Sequence, residues 1–301
     1  MLLGMFLLTQ FIGLGVVNSY STSINPITGE EIRNDLPFNL DPPEEEPEKN
    51  FVSLIIAFMF AFFLIFVLMK YKWKFIIRAW FFFVVALALG IVFYIFFRNS
   101  FANPTLLTLI FAVPLAYLKI FRPNVWVHNI TELLIYPGIA AVFVPILSVY
   151  SAIILLILIS LYDMWAVWHS GIMQKMAKFQ MEELNLFGGF LLPSASSKVK
   201  KQIKNLKQKY KGKKIPKKIR EKKFKVSLAI LGGGDVIFPI ITAGVFLRAF
   251  DIVPALFVLF GSLLGLTYLF AITEKDKAYP AMPYITAGIF VGLLAWVLFV
   301  L

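Results

Sequence analysis

Long apolar runs separated by short polar connections set the pattern of this chain, and a run of about 20 mostly apolar residues is long enough to cross a bilayer as a helix. Nine such runs are present: Leu2–Val17, Phe51–Met69, Phe75–Phe97, Thr105–Leu118, Ile130–Leu147, Val149–Val167, Val226–Phe250, Val253–Ile272 and Ala281–Leu301. The pattern predicts an all-α polytopic membrane protein with nine transmembrane helices. The fourth and fifth runs are short and interrupted by Pro114, Pro123 and Pro137, and the fifth and sixth need a turn near Pro145–Ser148.

Lysine and arginine orient the runs, because cytoplasmic connections carry their excess. With the N-terminus cytoplasmic, that side receives Lys70, Lys72, Lys74, Arg78, Lys119, Arg122, Lys275, Lys277 and a lysine-rich loop. The other side keeps only Arg33, Lys49, Arg98 and Arg248. The C-terminus is then extracytoplasmic. Three stretches follow: residues 1–168 with six spans, a basic cytoplasmic loop over 169–225, and residues 226–301 with three spans. A signal peptide at the first run would need a basic leader and a small-residue cleavage site, and neither is evident. Residues 19–50 are polar, proline-bearing and acidic, as an external loop without its own fold would be.

Composition agrees with the pattern: 59% hydrophobic and 16% aromatic residues and a mean hydropathy of +0.81 exclude a soluble domain. The absence of cysteine removes thiol chemistry, and two histidines make a histidine-rich metal site improbable. No metal and no cofactor is expected. The segment Lys198–Lys225 holds 15 of the 29 basic residues behind the net charge of +12. It suits anionic lipid at the membrane surface better than nucleic acid, since only Tyr210 and Phe224 offer a ring.

Two carboxylates depart from the apolar pattern. Asp163 lies in Leu161-Tyr162-Asp163-Met164 and Asp235 closes Gly232-Gly233-Gly234-Asp235. A carboxylate in hydrocarbon costs about 2.5–3.5 kcal/mol on insertion scales, so it is usually paired, facing a wet cavity, and functional. Asp163 precedes Lys175 by twelve residues and Asp235 follows Lys225 by ten. At about 1.5 Å per helical residue these are similar depths, roughly 18 and 15 Å from the cytoplasmic edge. The three glycines would let a neighbouring backbone approach closely, whereas Gly261-x-x-x-Gly265 and Gly288-x-x-x-Gly292 suit ordinary helix packing. At the same level the last span opens Pro280-Ala281-Met282-Pro283, and two prolines three apart interrupt a regular helix. A proton-coupled transporter would also use paired aspartates and broken helices.

Together, Tyr162-Asp163, Gly232-Gly233-Gly234-Asp235 and Pro280-Ala281-Met282 resemble the Tyr-Asp, Gly-x-Gly-Asp and Pro-Ala-Leu motifs of the presenilin and signal peptide peptidase family of intramembrane aspartyl proteases. The resemblance runs from about Ser148 to Leu301, with Met282 in place of leucine and a lysine-rich linker in place of the large loop of animal presenilins. It implies a compact microbial, archaeal-type homologue in the cell membrane, without obligatory partner subunits, that cleaves transmembrane-helix substrates. The implied catalytic residues are Asp163 and Asp235, sharing one proton and acting on water. Tyr162, Gly232, Gly233, Gly234, Pro280, Ala281 and Met282 are implied to shape the site. Tyr162 suits either a hydrogen bond near the dyad or packing. Glu132, Glu182, Glu183 and His169 are expected at membrane boundaries, and residues 172–186 suit an interfacial helix.

Overall fold

The computed structural model describes residues 1–21, 23–24, 31–32, 47–71, 73–99, 101, 103–170, 187–194, 227–273 and 279–300. The expectations for residues 172–186, for Glu182 and Glu183, and for the loop Lys198–Lys225 lie outside them, as does most of the acidic loop. Among the described residues nine long helices form: α1 (Leu2–Tyr20), α2 (Pro47–Lys70), α3 (Lys74–Phe97), α4 (Pro104–Phe121), α5 (Val125–Phe143), α6 (Val149–Trp165), α7 (Gly233–Ala249), α8 (Ile252–Ile272) and α9 (Met282–Phe299). Seven segments have the length and hydropathy to cross a membrane, containing α1, α3, α4, α5, α6, α8 and α9. Large apolar side chains such as Phe60, Trp80, Leu264 and Leu298 point outward from the bundle, where lipid rather than water suits them.

Two small antiparallel hairpins accompany the helices. β1 (Ser23–Ile24) pairs with β2 (Glu31–Ile32), and β3 (Gly189–Ser194) pairs with β4 (Ser227–Gly232) from Gly189↔Gly232 to Ser194↔Ser227. The second hairpin corrects the sequence reading. Residues 227–232 are not the first turns of a helix over Val226–Phe250 but a strand, and the helix starts at Gly233. A short apolar run fits a buried strand as well as a helix by periodicity, and the glycines weaken helix at its end. The depth counted at helical rise for Asp235 therefore does not hold, since a strand advances about 3.3 Å per residue.

The fifth span is also displaced. α5 begins at Val125, where the Asn124 side chain caps it by accepting from Trp126 N–H, and it ends in a 3₁₀ turn over Val144–Ile146. Pro137 stays inside the helix, and Gly138 explains part of the fit: a Cβ there would strike the Ala88 carbonyl of α3. The shift draws His128, Asn129 and Glu132 into the bundle.

The largest core cluster joins α1, α5, α6, α7, α8 and α9, with Phe6, Ile240, Leu259, Leu266, Ile285 and Ile289 fully buried. α8 and α9 meet backbone to backbone. Cβ atoms at Gly261 and Gly288 would each sit on the other's peptide, and those at Gly265 and Gly292 would strike the carbonyls of Tyr284 and Phe257. These two glycine pairs do what their spacing predicts.

Candidate active site

Asp163 lies in the last turn of α6 and is 7% exposed. Its Oδ2 accepts the Met282 backbone N–H at 3.0 Å, and the Ala281 N–H faces the same carboxyl. These donors exist because α9 begins at Met282: the first N–H groups of a helix have no partner within it, and its positive end favours an anion. The break at Pro280–Pro283 is thus a helix start whose orphaned donors hold a carboxylate. One turn away, Ser160 Oγ and Thr286 Oγ1 are 2.8 Å apart, so α6 and α9 carry two polar links in antiparallel register. Sequence reasoning missed that second link.

Asp235 is held differently. It sits in the first turn of α7, directly after β4, and the Gly232 N–H faces its carboxyl. A Cβ at Gly232 would lie 2.9 Å from Asp235 Oδ2, so a side chain there would displace that carboxyl. At Gly233 a Cβ would lie 2.8 Å from the Tyr136 hydroxyl, whereas at Gly234 it would make ordinary contact with Phe238 at 3.6 Å. The three glycines are therefore unequal. The next residue, Val236, offers its carbonyl to Gln10 Nε2 of α1 at 2.9 Å, and Gln10 is fully buried. Asp163 and Asp235 come close enough for their charges to interact.

Of the remaining expected residues, Pro280 and Met282 are buried, and Met282 meets Asp163 through its N–H. Tyr162 is 46% exposed with its ring 6.3 Å from that of Trp165. Glu132 lies within the bundle and not on its surface. It is 2% exposed and bonds Lys119 Nζ of α4 at 2.5 Å. His128 lies beside both, with Nδ1 3.3 Å from Lys119 Nζ, Nε2 3.6 Å from Glu132 Oε1 and Nε2 2.7 Å from the Gly189 carbonyl oxygen. Burial of this ion pair repays its desolvation only if both partners stay matched. His128, Glu132 and Tyr136 recur every fourth residue on one face of α5, a spacing visible in the sequence as a polar stripe. His169 falls in a π-helical turn, Ala166–Ser170, after α6. Among the described residues no group of three or more His, Asp or Glu gathers as metal ligands would.

A helical membrane bundle with one buried and one half-buried carboxyl, the first fixed by a helix start and the second by a glycine turn, has the architecture of an intramembrane aspartyl protease. Residues 32–301 match the family described as "Signal-peptide peptidase, presenilin aspartyl protease", and the chain belongs to that family. Two solved structures share its fold. A presenilin family intramembrane aspartate protease in a P2 crystal form aligns with TM-score 0.61 and 18% identity, covering 99% of this chain and 96% of the other. Another, in a C222 form, aligns with TM-score 0.60 and 18% identity, covering 98% and 96%. No curated protein matches the chain. The family's chemistry is proteolysis, so the transporter alternative falls away.

Proposed function

We propose that Asp163 and Asp235 are the catalytic pair of this intramembrane aspartyl endopeptidase, and that it hydrolyses peptide bonds within transmembrane helices. The observation that carries the reading is the Met282 N–H bonded to Asp163, which ties the Pro280-Ala281-Met282 motif to one carboxyl while the glycine motif delivers the other. Two neighbouring carboxyls hold one proton between them. The ionised member removes a proton from water as its oxygen bonds to the scissile carbonyl carbon, and the neutral member gives its proton to the carbonyl oxygen. The resulting diol collapses as the C–N bond breaks: the neutral member of the dyad protonates the nitrogen, the ionised member takes the proton of one diol hydroxyl as the C=O bond re-forms, and new carboxyl and amino termini leave. No covalent enzyme intermediate forms, and the dyad ends with its original single proton.

Topology completes the reading. Seven segments with the length and hydropathy to cross a membrane, the further long helices α2 and α7, and the lysine and arginine distribution support nine spans with the N-terminus cytoplasmic and the C-terminus outside, in the plasma membrane of a microbe. Lys198–Lys225 contributes attraction to anionic lipid, and the single chain acts without obligatory partner subunits. Purified protein in lipid, given a transmembrane peptide, tests the dyad. Asp163→Ala and Asp235→Ala should each abolish product, the parent should show a bell-shaped pH profile, and cleavage by either variant would remove the assignment.

A further inference from the structure

The β3–β4 hairpin delivers Asp235, since β4 ends at Gly232 and α7 follows without a break. Its position is therefore the position of that carboxyl. Two antiparallel strands alone are marginal, and the free edge of β3 needs partners for its outward peptide groups.

α5 supplies them from side chains. Asn129 Nδ2 donates to the Leu191 carbonyl at 2.8 Å and Asn129 Oδ1 accepts the Leu191 N–H at 3.0 Å. One amide side chain thus imitates a paired strand residue. Because both Leu191 groups go to Asn129, they point away from β4, which makes Leu191↔Ile230 a non-hydrogen-bonded pair. By alternation the same holds for Gly189↔Gly232 and Pro193↔Leu228. The Gly189 carbonyl accordingly points outward and meets His128 Nε2 at 2.7 Å. Pro193 brings no N–H to that edge, the placement at which a strand tolerates proline. The Gly233 N–H, bonded to the Gly188 carbonyl at 3.1 Å, continues the same register.

The histidine is set by its other neighbour. A lysine ammonium only donates and a carbonyl only accepts, so Nδ1 receives from Lys119 and Nε2 carries the hydrogen that goes to Gly189. Lys119 is in turn fixed by Glu132. A shift of β3 by one residue would turn each of these groups toward the wrong face.

We propose that Asn129 and His128, braced by the Lys119–Glu132 pair, are positioning residues that hold the β3–β4 hairpin in register and so place Asp235 opposite Asp163. This rests on Asp235 being a member of the catalytic pair. These groups do not reach the reacting atoms; they act through the hairpin.

The test compares the parent with Asn129→Ala, His128→Leu and His128→Gln in lipid, on a transmembrane peptide. Asn129→Ala and His128→Leu should lower kcat on the order of tenfold or more while KM stays within about twofold, because geometry rather than binding is lost. His128→Gln, whose amide still donates to Gly189, should recover most of the rate. A second measurement reads the hairpin without proteolysis. The chain has no cysteine, so Pro193→Cys with Leu228→Cys, on a non-hydrogen-bonded pair of suitable spacing, introduces the sole thiols. In an Asp235→Ala background the disulfide should form quickly with Asn129 present and about tenfold more slowly in Asn129→Ala, as a hairpin out of register would require. With Asp235 retained, oxidation of this pair should restore turnover to Asn129→Ala.

Unchanged kcat in Asn129→Ala and His128→Leu would overturn the proposal. So would equal cross-linking rates, or a formed disulfide that leaves Asn129→Ala slow. Cleavage by Asp235→Ala would instead sink the dyad assignment, with the cross-linking rate still judging whether Asn129 registers the hairpin.

Discussion

Asp163 and Asp235 are positioned by opposite means. Asp163 belongs to a regular helix and is fixed from outside, by backbone donors at the start of α9 and by the Ser160–Thr286 contact. Asp235 stands where a strand becomes a helix and is held by glycines, by Gln10 of α1 and, through its hairpin, by Asn129 and His128 of α5. The first arrangement is a rigid helix pair with two polar links. The second is a small hairpin whose position depends on side chains from other helices, so substitutions far from Asp235 should affect it more than distant substitutions affect Asp163.

The largest effect expected from breaking this contrast comes from the buried ion pair. Lys119→Met or Glu132→Leu alone leaves one charge stranded and should destabilise the protein by about 3–5 kcal/mol, the usual cost of breaking such a pair. The double variant should recover most of that loss, since well-packed apolar replacements are often neutral. Thermal unfolding in one detergent checks both. A double variant destabilised by the sum of the two single losses would mean that the pair is not coupled and that the hairpin has another anchor.

Next comes Gly232→Ala. Its Cβ would press on Asp235 Oδ2, and the carboxyl can swing away without moving backbone. Turnover should therefore fall about 10–100-fold, in the range expected when a catalytic group is misplaced by roughly an ångström, with little change in melting temperature. Gly234→Ala should do the reverse. Ordinary contact awaits its methyl group, and replacing glycine in a helix with alanine gains up to about 1 kcal/mol. Its melting temperature should hold or rise, so a steep loss of stability would show that all three glycines are packed alike.

The same contrast separates what was legible in the sequence from what was not. Apolar length and basic connections revealed the helices, and the two lone carboxylates with their motifs pointed to the candidate site, because a charge within an apolar run is costly and seldom kept without a function. The strand at 227–232 was hidden, since its partner, residues 189–194, lies 33 residues earlier across a basic stretch and neither run alternates in polarity. The burial of Glu132 was hidden for a related reason. Proline at 123 and 137 made the fifth span look short, which put its polar first turns at a boundary and disguised a stripe that pairs with Lys119 inside the bundle. Pro280–Pro283 was readable as a break with unpaired backbone groups, but their acceptor was not, because Asp163 is 119 residues away.

The smallest effect should come from the α6–α9 side. Ser160→Ala removes one hydroxyl from a buried contact 2.8 Å long and leaves Thr286 in place. Interhelical side-chain hydrogen bonds in membrane proteins average about 0.6 kcal/mol, because the separated helices also find partners in the bilayer. Stability should fall by about that much. Turnover should fall less than in Gly232→Ala, since the Met282 N–H still bonds Asp163. Thr286→Val should match it, and the double variant should cost no more than either single change, the signature of one shared bond. If Ser160→Ala instead reduced turnover as far as Gly232→Ala does, Asp163 would be as delicately placed as Asp235. The distinction between a rigid carboxyl and a propped one would then fail.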